Sequence, residues 1–111
     1  MRREGGNAAM PDDRVLLTVL LRHDQSKTLD EIMAHVKTTG FYRDFPPEGV
    51  EVVSWTVAMS YGFVILVRAR PDALRAMNRC IEQKAWGAFR YEVFPAYDFA
   101  PIAAQLKRDH A

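Results

Sequence analysis

Val15-Leu-Leu-Thr-Val-Leu-Leu21 is the stretch that decides the fold. Six of its seven residues are aliphatic, and four are Leu. The run is strand length and far short of the ~18 apolar residues that a membrane helix needs. A strand with one face in water alternates apolar and polar residues. This one does not, so both of its faces are covered. The chain's own helices can cover one face. The other calls for a second surface, and a second copy of the same chain supplies it. The stretch therefore predicts a homodimer formed through the sheet.

Downstream of this strand the punctuation is clear. Thr28-Leu-Asp-Glu31 has the form of a capping box, in which Thr28 accepts from the Glu31 amide and Glu31 reaches back. Leu29, Ile32, Met33 and Val36 follow at helical spacing, with His35 beside them. Gly40 closes the helix as a left-handed cap. Phe41 to Gly49 reads as a loop stiffened by Pro46-Pro47. Val50 to Met59 and Phe63 to Ala69 are rich in β-branched residues and read as two strands. Ser60-Tyr61-Gly62 makes the hairpin turn between them. Pro71-Asp72 opens a second helix whose buried stripe is Leu74, Met77 and Ile81, and Gly87 closes it. Phe89 to Phe94 is a fourth strand, which Pro95 stops or marks as an edge. Pro101 opens a short terminal helix, Ile102 to Arg108. Residues 1–13, rich in charge, Gly and Asn, read as a disordered N-terminal extension, and residues 14–111 as one α+β domain. The order is β-α-β-β-α-β with a short helix appended, which is ferredoxin-like.

The composition excludes several classes of function. Fifteen basic residues face fourteen acidic ones, so no basic excess marks a nucleic-acid surface. A nucleic-acid reader of this strand order keeps an exposed sheet face with stacking aromatics, and the first strand here is apolar on both faces. No run is long enough to cross a membrane. The single cysteine, Cys80, leaves no intramolecular disulfide and fits a reduced, cytoplasmic setting. Within the second helix it reads as a small buried hydrophobe. His23, His35 and His110 have no zinc-ligand spacing, and no metal is expected. There is no Gly-rich phosphate loop and no nucleophile elbow. A haem would need His23 or His35 as an axial ligand in a roomy apolar pocket. No cofactor is expected.

Order, length and the doubly apolar first strand together resemble the dimeric α+β barrel superfamily over about Val15 to Phe99. That group includes antibiotic-biosynthesis monooxygenases, muconolactone-isomerase-like proteins and stress-responsive barrel proteins. Phe45-Pro-Pro-Glu-Gly49, Val53-Ser-Trp55, Ala85-Trp-Gly-Ala-Phe-Arg90 and Tyr97-Asp-Phe99 are similar to a bacterial subfamily near these. The resemblance implies two sheets packed face to face, with a pocket between sheet and helices in each subunit. A fold hosts many functions, so the resemblance does not fix a reaction.

His23 is the candidate acid/base, at the end of the first strand, because imidazole titrates near neutrality. The neighbouring Asp24 can orient it, although strand neighbours point to opposite faces. The plain alternative is a polar strand end in water. Arg90 is the candidate anion anchor, since a guanidinium grips a carboxylate through two parallel bonds. The alternative is a solvated Arg90–Glu92 pair. Trp55, grouped by parity with Val53 and Val57, together with Trp86, Tyr91 and Tyr97, supplies pocket walls or donors, or else core and interface. Asp98 lines the same pocket or caps the last helix. Arg68 pairs across the hairpin with Glu51. The expected function is a small cofactor-independent enzyme acting on an apolar or aromatic metabolite by proton transfer or oxygenation. The alternative is a non-catalytic small-molecule-binding or subunit-interaction domain of the same fold.

Overall fold

The first strand, β1 (Val15–His23), lies inside a four-stranded sheet of order β2-β3-β1-β4 in a computed structural model that describes residues 13–111. The expected N-terminal extension lies outside the described residues, apart from Asp13. The other strands are β2 (Val50–Ala58), β3 (Gly62–Ala69) and β4 (Phe89–Ala96); β1 pairs with β3 and β4, β2 pairs with β3, and every pair is antiparallel. Leu17, Val19 and Leu21 point to one face and are buried there with Ile65 and Val67 of β3. Leu16, Thr18 and Leu20 point to the other face and are only half-buried. The doubly apolar strand thus has one face beneath the helices and one face open within the protomer.

Two helices cover the closed face. Helix α1 (Leu29–Thr39) begins at the expected capping box: Thr28 Oγ1 accepts from the Glu31 amide at 3.1 Å, and the Glu31 carboxylate accepts from the Thr28 amide at 2.7 Å. It inserts Ile32 and Val36 into the core. Gly40, at φ 76°, ends it with its N–H donating to the Val36 and Lys37 carbonyls. The segment after Gly40 is not all loop. Phe41–Asp44 forms a helical turn, α2, because Phe41 is driven into the core and its ring stacks on Phe45 at 5.3 Å. Four residues are too few for any periodicity to show in sequence.

The second core helix starts later and stops earlier than the sequence suggests. Pro71–Ala73 forms a turn of 3-10 helix, and α3 runs Leu74–Lys84, burying Met77, Cys80 and Ile81. Gly87 is not its cap. The Ala85 amide makes the last bond, to the Ile81 carbonyl, and Gly87 shapes the following turn at φ 88°. Strand β4 continues through Pro95 to Ala96, which the edge position permits because one side of an edge strand needs no donor.

Strand β2 departs from simple alternation. A bulge between Val52 and Ser54 shifts the register, so Val52 pairs with Val67 and Trp55 with Ile65. Trp55 therefore joins Val50 and Val52 on the helix face, and Val53 is exposed, against the parity grouping of Trp55 with Val53. The hairpin beyond it needs Gly62. The backbone there has φ 144°, and a Cβ would collide with the Leu21 carbonyl oxygen of β1. Arg68 lies opposite Glu51, as expected, at 3.7 Å. The terminal helix α4 (Ala100–Asp109) buries none of its residues and leaves Ile102 and Leu106 exposed. The observed order, β-α-β-β-α-β-α with a 2-3-1-4 antiparallel sheet, is the expected ferredoxin-like α+β arrangement. Among the described residues no helix is long and apolar enough to cross a membrane.

Candidate functional site

His23 ends β1 on the helix face, half-buried, with its ring 5.6 Å from that of Phe89. The contact follows from register, since His23 and Phe89 are direct cross-strand partners. Phe89 lies 5.6 Å from Phe63, and Phe63 lies 5.4 Å from Trp55. His23 and Trp55 are thus two ends of one aromatic row beneath the sheet. Trp55 also packs edge-on against Phe41 and Phe45, and is a wall of the core.

One residue earlier in β1, Arg22 points to the open face and pairs directly with Arg90 of β4. Two arginines are therefore cross-strand partners at the sheet rim and line one cleft there. Like charges directly opposite on a sheet are destabilising unless something neutralises them. Neither reaches a carboxylate at ion-pair distance among the described residues, and Arg90 forms no pair with Glu92. Arg22 instead lies over the Tyr61 ring at 5.9 Å. The nearest acid is Asp24, and it is engaged elsewhere. Its Oδ1 accepts from Ser26 Oγ at 2.7 Å and from the Ser26 amide at 3.0 Å. Those bonds, with help from Lys27 and Arg90, hold its carboxyl below the usual range. Asp24 does not orient His23.

Three clefts meet at this rim. One of about 260 Å³ is shared by Arg22, His23, Asp24, Ser26 and Arg90, and Asp24 lines the other two as well. A second, of about 450 Å³, runs from His23 past Lys27 to Leu29 and Ile32. The third, of about 380 Å³, lies between Trp86, Gly87, Arg90 and Tyr91. His23, Arg90, Trp86 and Tyr91 are thus gathered at one end of the sheet. Trp86 is a largely exposed flap there. Tyr91 faces the helix layer, and its hydroxyl is 3.1 Å from Asn78 Oδ1. Burial first, and Glu82 second, push its phenol up to about 12, so it stays a neutral donor.

The remaining candidates lie elsewhere. Tyr97 and Asp98 follow the far end of β4, where Ala96 pairs with Leu16. Tyr97 is mostly exposed, and Asp98 accepts from the Ala100 amide at 2.9 Å at the start of α4. Cys80 is buried, as expected of a small hydrophobe. His35 packs against Gly87, with its Nε2 enclosed and lacking a hydrogen-bond partner. Among the described residues no group of three His, Cys, Asp or Glu is placed to hold a metal ion.

Arg22 is the site residue that sequence reasoning passed over. Parity puts it on the open face with Leu20. Its pairing with Arg90 depends on the β1–β4 register, which joins residues far apart in the chain. No family model matches this sequence, and neither a curated protein nor a solved structure does.

Proposed function

We propose that the chain binds a small, partly apolar metabolite bearing a carboxylate, with Arg22 and Arg90 holding the anion and His23 moving a proton. The Arg22–Arg90 cross-strand pair, which makes no ion pair among the described residues, carries this reading. A carboxylate between the two forks relieves their repulsion and accepts charge-assisted bonds from both. The adjoining clefts offer apolar walls from Phe89, Leu29 and Ile32. His23 borders the same cleft as both arginines but from the helix face, so the acid's body would wrap the end of β1 to bring a carbon to the imidazole. A neutral imidazole can take a proton there and return it at a second position, which is the chemistry of an isomerase or cyclase. That cycle needs no cofactor. Oxygenation of an electron-rich substrate belongs to the same reading.

The open sheet face favours a second element of the proposal: the working form is a homodimer of the dimeric α+β barrel type. Leu16, Leu20, Val64, Leu66 and Phe94 line this face around Thr18. Nine residues of strand at ~3.3 Å each, across four strands ~4.8 Å apart, project roughly 500 Å² before side-chain relief is counted. Specific interfaces bury about 800 Å² of accessible surface per partner, a figure the flat area reaches only with the relief of its side chains. The arginine pair stands at the rim of that contact.

A thermal-shift screen of small carboxylic acids tests the ligand reading. The wild type should be stabilised by a subset with aromatic or branched bodies, Arg90→Ala should lose that response, and His23→Ala should keep binding while losing turnover. Equal stabilisation of the wild type and Arg90→Ala would overturn it. Binding without turnover in the wild type would leave the non-catalytic binding domain as the function.

A further inference from the structure

A second charged concavity lies along the outer face of α3 and shares no lining residue with the rim clefts. The helix turns Met77, Cys80 and Ile81 inward and leaves Arg75 and Arg79 exposed one turn apart on its outer face. Facing them are Asp44, at the end of α2, and Pro47 and Asp72. Together they enclose a groove of about 720 Å³, larger than any of the three clefts at the sheet rim. That volume suits a small-molecule ligand.

The charges in this groove do not balance. Asp44 is held by Arg43 at 3.0 Å and by Lys84 at 2.8 Å, and those two bases keep its carboxyl far below the usual range. Asp72 is held by Arg70 at 3.0 Å. Both acids are therefore neutralised by other bases. Arg75 and Arg79 make no hydrogen bond or ion pair among the described residues. Like charges at i and i+4 on a helix repel each other. The floor between them is Pro47, Ala76 and Cys80, which is apolar and offers little to a bare ion.

We propose that this groove binds a phosphate monoester, its phosphate bridging Arg75 and Arg79 and its organic part lying on Pro47 and Ala76. Arg43, Arg70, Arg75, Arg79 and Lys84 outnumber Asp44 and Asp72 around the groove, and a dianion suits that positive excess. The oxygens of one phosphate can accept from both guanidinium forks at once, which the two oxygens of a single carboxylate do less well. The site is separate from the rim at Arg22 and Arg90 and does not depend on the function proposed for it.

Calorimetric titration of the full chain with phenyl phosphate, inorganic phosphate and benzoate tests the assignment. Phenyl phosphate should bind more tightly than inorganic phosphate, and benzoate more weakly at this groove. The Arg75→Ala/Arg79→Ala variant should lose about tenfold or more in phenyl phosphate affinity, since each guanidinium supplies charge-assisted bonds. Both side chains are exposed, so this variant keeps its fold, and a melting curve checks that. Lys107→Ala, on α4, should bind as the wild type does. Unchanged affinity in the double variant overturns the proposal. So does loss of phosphate binding in Arg22→Ala/Arg90→Ala alone, which places the anion at the rim.

Discussion

Tyr91 illustrates how one side chain is fixed by two layers at once. Its strand position turns the ring under α3, and Asn78 lies within reach of its hydroxyl. Burial favours the neutral phenol and pushes it up to about 12. In the unfolded chain a tyrosine ionises near 10, so the folded form holds its proton longer. The resulting stabilisation is complete below pH ~10 and is lost as the pH rises toward 12. Denaturant unfolding measured from pH 9 to 12 should show stability falling in the wild type and falling less steeply in Tyr91→Phe. Parallel slopes would show that Tyr91 is not what couples stability to pH there. At this scale the sequence was legible wherever the cause is local. Thr28, Glu31 and Gly40 act on their own neighbours, and each does what its type dictates. Arg22 was not legible as a site residue, because its meaning comes from Arg90 across the sheet. Asp24 was misleading for the converse reason: adjacent to His23 in sequence, it is held by Ser26.

The secondary-structure elements sort by length and by regularity. All four strands and both core helices were readable, because each repeats its pattern over eight residues or more. The turn α2 was hidden by its brevity. The bulge in β2 was hidden by the alternation itself: Val50, Val52, Trp55 and Val57 share the helix side only once Val53 is taken out of the count. Trp55 thereby belongs to an aromatic core cluster rather than to a pocket beside His23. Helix α4 was placed correctly, and the structure adds that it buries nothing. A segment whose apolar residues, Ile102 and Leu106, are only partly covered contributes little to global stability. Truncation after Asp98 should therefore shift the unfolding free energy of the sheet domain by less than about 1 kcal/mol, followed by circular dichroism. A loss of several kcal/mol would mean that α4 docks on the core in solution.

On the scale of the whole molecule, the two faces of the sheet are unequal. The helix side is sealed by residues such as Val19, Leu21, Ile65 and Val67, none of which is exposed. The other side presents leucines, Val64 and Phe94, with Glu92 opposite Leu20 and further charges toward its two ends: Arg22 and Arg90 at one, Glu51 and Arg68 at the other. An apolar patch of this extent with a charged border is the form of a protein–protein surface. The doubly apolar Val15–Leu21 run announced this asymmetry, since only a strand with two dry faces needs such a composition. What fills the second face is not written in the run. The proposal that it is a second copy, with the arginine pair on the rim of the contact, stands or falls on the mass of the protein in solution. Light scattering across a hundredfold range of concentration should give a dimer for the wild type. Leu20→Glu, which puts a charge at the centre of the open face and leaves the helix-side core untouched, should give a folded monomer. A wild-type monomer at every concentration, or a dimer undisturbed by Leu20→Glu, would contradict the account.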